Sequence, residues 1–157
     1  MAKVGVSIKH KIRTASLLVL LSNLVLFSYA DNNETFSLTV KVDALRNSEG
    51  VVRFALYNID GSIPDMKYKK YYKIQDQIID EGSSSAIFKG LPKGNYAVSA
   101  LHDENSNGKI DKRFIMPLEG VGFTNYSSIG LTNRPNFSKA SLELDSDIES
   151  SIKINYF

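Results

Sequence analysis

The chain contains no cysteine. That excludes disulfides, thiolate catalysis, thiolate zinc sites and a lipid carried on cysteine. It holds only two histidines, His10 and His102, so a zinc centre in the folded part would rest on one imidazole and carboxylates. No apolar run approaches the about 20 residues that a spanning helix needs; Ala15–Phe27 (ASLLVLLSNLVLF) stops at thirteen. No window carries a sustained helical stripe, an internal repeat or a low-complexity tract. No Ser-His-Asp spacing, phosphate loop or dinucleotide fingerprint is present.

What is present begins with a leader. Lys3, Lys9, Lys11 and Arg13 form a positive start without acid, the apolar run follows, and Ser28-Tyr29-Ala30 places small residues where a signal peptidase reads. This is the layout of a secretory signal peptide. The expectation is cleavage after Ala30, leaving residues 31–157 as one exported domain, periplasmic or extracellular, with no stable membrane insertion. A retained anchor is the rival, and its apolar stretch is short. The whole chain carries a formal +2. Without the leader the balance is −2, so the basic excess does not belong to the folded part and a nucleic-acid surface is not expected.

The remaining 127 residues suffice for a single core. Phe36, Leu38, Val40 and Val42 alternate with polar residues, as do Val52, Phe54 and Leu56. Period two with β-branched residues predicts strands with one wet face, and Asn47-Ser48-Glu49-Gly50 between them predicts a hairpin. Residues 62–80 (including MKYKKYYKIQDQII) are ambiguous between a short helix and an irregular crossover. SSAIFKGL reads as a strand. YAVSALHD is apolar on both faces and reads as a central strand. Residues 113–136 read as an ordered loop with short strand pieces, and two alternating strands close the chain. The pattern predicts an all-β fold, an antiparallel β-sandwich.

The central strand runs into HDENSNGKID. Asp103, Asn105 and Asn107 fall at every second position, followed by Gly108, Lys109 and Asp111. Calcium wants six to eight oxygens, and alternating oxygen-bearing side chains supply them when the backbone wraps the ion. The spacing matches the front of a calcium loop, with Lys109 offering its carbonyl and Asp111 standing where ligands act through water. The closing glutamate is missing: that position is Phe114, and the nearest substitute is Glu119, which must fold back. Two of the alternating ligands are neutral, so the expected affinity is weak, roughly 10⁻⁴ to 10⁻³ M. Asn, Asp and Gly also dominate turns that hold no ion.

Other candidates are sparser. His102 shares a strand face with Tyr96, Val98 and Ala100 and reads as a half-buried sheet residue. Joined with Asp111 and Glu119 in one pocket it would form an acid–base set for a hydrolase-like enzyme. Lys67 to Lys73 form a basic-aromatic run that suits an acidic glycan, a membrane face or a solvated edge.

GLPKGNYAV, HDENSNGKID and PLEGVGFTN together resemble a bacterial exported family catalogued as domain of unknown function 2141, over about Leu38 to Tyr156. The matching residues are Gly90, Leu91, Pro92, Gly94, Tyr96 and Ala97, then His102, Asp103, Asn105, Asn107, Gly108 and Asp111, then Pro117, Glu119, Gly120, Gly122, Phe123 and Asn125. Ile115 stands where the pattern has Gly, and Thr124 where it has Ser. The resemblance implies an immunoglobulin-like or transthyretin-like β-sandwich and carries no established activity. The functional expectation is a non-enzymatic binding module in which a Ca2+-type ion orders a surface for an envelope glycan or protein. The alternatives are the hydrolase-like site and a purely structural envelope protein with a polar turn.

Overall fold

Thr35–Val42 (β1), Val51–Tyr57 (β2), Lys73–Gln77 (β3), Ser84–Pro92 (β4) and Gly94–Asp103 (β5) carry most of the architecture. They are followed by Lys112–Arg113 (β6), Met116–Pro117 (β7), Gly120–Phe123 (β8), one helical turn Phe137–Ala140 (α1), Leu142–Leu144 (β9) and Ile148–Ile152 (β10). The computed structural model describes residues 34–114 and 116–157. The expected leader 1–30, and Ile115, where the chain departs from the family pattern, lie outside the described residues.

Two sheets face each other. One runs β10-β1-β4; the other runs β3-β2-β5-β8, with β9 joined to the start of β5. Among the described residues all pairs are antiparallel except β1 with β10, where Leu38 lies opposite Ile148 in a parallel ladder. The inward faces interdigitate. Leu38, Val40 and Val42 from β1 and Ala86 and Phe88 from β4 meet Val52, Phe54 and Leu56 from β2 and Val98 and Ala100 from β5. These are the alternate positions of each strand, so the period of two sets the face that each strand buries. Removing one of these large side chains would cost about 2–5 kcal/mol.

β5 is the central strand, flanked by β2 and β8. Its second face is also covered: Ala97 packs with Ala55, Tyr57, Ile63, Tyr126, Phe137 and Ala140 in a smaller cluster. That explains why YAVSALHD shows no polar face. Asn136 caps α1, its side-chain oxygen accepting from the Lys139 N–H at 2.9 Å, and Ala140 ends that turn just before β9.

The expected hairpin of β1 and β2 does not form. β1 pairs with β4 and β10, and β2 with β3 and β5. The chain does bend at 47–50, where the Glu49 N–H donates to Asn47 Oδ1 and Gly50 has φ of 68°, but Leu45 is buried and its N–H donates to the Gly82 carbonyl. The connection is therefore a corner that carries the chain from one sheet to the other. The ambiguous stretch resolves into turns followed by β3.

At the β8 edge the chain returns on itself. Asn155 bridges Val121 by two backbone hydrogen bonds, at 3.0 and 2.8 Å. A Cβ at Gly120 would overlap the side chains of Tyr156 and Ile154. Glycine there is a packing requirement, because the C-terminal segment lies directly against the strand.

Candidate functional site

The loop leaves β5 at Asp103, whose side chain is fully buried. A buried carboxylate needs donors, and the loop backbone provides them. Asp103 Oδ1 accepts from the Asn107 N–H at 3.0 Å and Oδ2 from the Gly108 N–H at 2.7 Å. Asn105 Oδ1 accepts from the Asn107 N–H at 3.0 Å, and Asn107 Oδ1 from the Lys109 N–H at 2.7 Å. The alternating Asp and Asn side chains thus wind the chain back over Asp103. Gly108 has φ of 75° and would meet the Arg53 guanidinium with any side chain, so both conformation and space select glycine.

The far side of the loop converges on Asp111. Asn105 Nδ2 and Asn107 Nδ2 both donate to its Oδ2, at 2.7 and 2.8 Å. Glu119 does fold back. Its Oε1 accepts from the Glu104 N–H at 3.1 Å and its Oε2 from the Asp111 N–H at 3.3 Å, so one carboxylate spans the two ends of the loop. The path that returns it is the small β6–β7 pair, closed by the Leu118 N–H donating to the Asp111 carbonyl at 2.9 Å. Glu119 is nearly buried, and its carboxyl is pushed up from the usual range, first by desolvation and then by the charges of Asp103 and Asp111.

Two arginines brace the loop from outside. Arg53 on β2 grips Asp76 through Nε and Nη2 at 2.7 and 2.6 Å, and its Nη1 donates to the Gly108 carbonyl at 2.5 Å. Arg46 pairs bidentately with Glu104, Nε lying 2.8 Å from Oε1 and Nη2 engaging Oε2. The Arg46 hydrogen bond, with help from Asn47, pulls the Glu104 carboxyl down to about 2. Periodicity in the sequence does not reveal these residues. Glu104 falls between the alternating positions, and its partners lie 57 and 58 residues away in the chain.

The site residues read from sequence are therefore gathered in one place. The donor atoms differ from those of a closed cage. The Lys109 N–H, rather than a bare carbonyl, is bound within the loop, and the two Asn amide nitrogens face Asp111. Among the described residues no three His, Asp or Glu side chains gather closely enough to hold an ion by themselves. Equally, among the described residues neither Asp103, Asp111 nor Glu119 has a lysine or arginine within 4.0 Å.

His102 stands apart from this set. It is fully buried, more so than a half-buried sheet position. Nδ1 pairs with the Tyr156 hydroxyl at 2.7 Å, and Nε2 donates to the Glu49 carbonyl at 3.0 Å. Tyr156 in turn accepts from the Arg46 N–H at 3.2 Å. The imidazole thus pins the corner 43–50 and the C-terminal segment to the central strand. Both nitrogens are engaged, so an acid–base role beside Asp111 and Glu119 would require these bonds to break.

Residues 40–152 match the family described as "Uncharacterized protein conserved in bacteria (DUF2141)". The chain belongs to this family. The matched span of this DUF2141 member runs from β1 to β10 and includes the whole loop with Glu119. No curated protein matches it. Among solved structures a pilus-presented adhesin, Cpa, is similar at 14% identity, with 78% of this chain and 27% of the adhesin covered and a TM-score of 0.26. The chain thus spans about a quarter of the adhesin's length.

Proposed function

We propose that this DUF2141 member is an exported β-sandwich binding module whose loop 103–111, with Glu119, takes a Ca2+-type cation and so orders a surface for an envelope glycan or protein. One observation carries the reading. Three carboxylates, two of them almost without solvent contact, meet at the loop, and among the described residues none has a lysine or arginine within 4.0 Å; Arg46 and Arg53 stand nearby but are paired to Glu104 and Asp76. Buried charge without an ion-pair partner is costly, and a hard divalent cation is the partner that oxygen-only ligands favour. Asp103, Asn105, Asn107, Asp111, Glu119 and the Lys109 carbonyl would hold it. The ion would supply charge compensation and loop rigidity. The Asn amides would have to turn their oxygens toward Asp111.

A second reading has its own support. The Asn105 and Asn107 amides already satisfy Asp111, and backbone N–H groups satisfy Asp103 and Glu119. On that reading the loop is a self-sufficient turn of a structural envelope protein.

Calorimetric titration with calcium separates the two. With a Kd of roughly 10⁻⁴ to 10⁻³ M, 10 mM calcium stabilises the fold by about 1.4–2.7 kcal/mol. Asp111→Ala abolishes both heat and stabilisation. Binding strengthens as pH rises, because Glu119 must lose its proton and its carboxyl is held above the usual range. No heat and no melting shift at 10 mM calcium leaves the self-sufficient turn.

A further inference from the structure

β6 and β7 form a two-residue ladder, Lys112 opposite Pro117 and Arg113 opposite Met116. At the turn, Phe114 is 93% exposed and has φ of 59°. Left-handed backbone is unfavourable for a bulky side chain, and nothing in the sandwich core is gained by it. An aromatic held out in this way is the least expected residue for a solvated turn.

Its surroundings point to a partner. Beside the hairpin lies an apolar groove of about 470 Å³, lined by Met66, Ile110, Met116 and Leu131 with Arg134 at its rim. Leu131 is 74% exposed. A second hollow of about 430 Å³ shares Met66 and Ile110 with the groove and is lined by Lys67, Lys109 and Lys112. No Asp or Glu lines either hollow. Among the described residues these three lysines and Arg134 have no carboxylate within 4.0 Å. An apolar groove that carries Arg134 and adjoins a hollow lined by three lysines, with no carboxylate lining either, matches a surface that is hydrocarbon within and anionic at its face.

We propose that this end of the molecule docks peripherally on an anionic lipid bilayer. Phe114 and Leu131 enter the headgroup boundary, while Lys67, Lys109, Lys112 and Arg134 meet anionic headgroups. The attachment is interfacial: among the described residues no helix is long and apolar enough to cross a membrane. It does not depend on the cation reading. It also gives Lys67, the first residue of the basic-aromatic run, a use that a solvated edge does not.

The chain contains no tryptophan, so Phe114→Trp installs a single local reporter. The exported chain carrying it is mixed, in the presence of a chelator, with phosphatidylcholine vesicles either pure or doped with phosphatidylglycerol. Docking shifts the emission to the blue on the doped vesicles and far less on the pure ones. Adding Lys109→Gln and Lys112→Gln weakens apparent binding by about fivefold for each lysine at low salt, on the order of thirtyfold together. The reporter reads only its own surroundings, so vesicle contact by any other part of the chain does not mimic the result. Emission that stays put on anionic vesicles overturns the proposal and leaves the patch to a protein partner. An equal shift on both vesicle types overturns the role of the lysines.

Discussion

Replacing Glu104 with Gln tests whether the loop is braced from outside. The change keeps shape and removes charge. It breaks the bidentate pair with Arg46 and weakens the Asn47 bond of 2.6 Å to the same carboxylate. The folded chain holds the Glu104 carboxyl at about 2 against an ordinary 4.5. A displacement of that size is worth at most about 3.4 kcal/mol. Arg46 is 42% exposed on its side chain, and solvent screening brings the expected loss to about 1–2 kcal/mol. The sign follows from the depressed value. The stabilisation is complete above the unfolded carboxyl's range near 4.5 and disappears as pH falls through about 2. Urea denaturation of both chains from neutral pH downward therefore shows a gap of about 1–2 kcal/mol at pH 7 that closes toward pH 2. A gap that persists unchanged to pH 2, or none at pH 7, refutes the reasoning.

Two further substitutions probe how the C-terminal segment is seated. Gly120→Ala drives a methyl into Tyr156 and Ile154 and should cost about 1–3 kcal/mol by overpacking, read as a lowered Tm. His102→Phe keeps most of the buried volume but strands the Glu49 carbonyl and the Tyr156 hydroxyl. It should cost about 2–4 kcal/mol in urea denaturation, and a loss below about 0.5 kcal/mol would mean that neither bond matters.

Strands, inward faces and the centrality of β5 were legible because side-chain alternation is a local property of the chain. Leu38, Val40 and Val42 can bury one face in only one way. Sheet membership was not legible. A turn such as 47–50 looks the same whether it folds a strand onto its neighbour or carries it round a corner, and the burial of Leu45 decides between them. The loop is a similar case. The residues its spacing singled out lie together in the fold, and Glu119 folds back to the two ends of the loop. The atoms that face inward were hidden, because the amides of Asn105 and Asn107 could point either way. Arg46 and Arg53 carry no spacing signal at all; they reach the loop only through pairing across the chain.

The parallel ladder of β1 and β10 has a consequence for how the molecule comes into being. Beside the ladder, the Ser37 N–H donates to the side chain of Asp147, 110 residues further on, and among the described residues β1 has no other neighbour on that side. β1 can pair with β4 early, but its other edge waits for β10. Until residues 148–152 are available the opening strand keeps a bare edge, so the domain closes late and as a whole. Ending the chain before residue 148 would therefore leave β1 seated on β4 with its other edge open, a template for pairing between molecules.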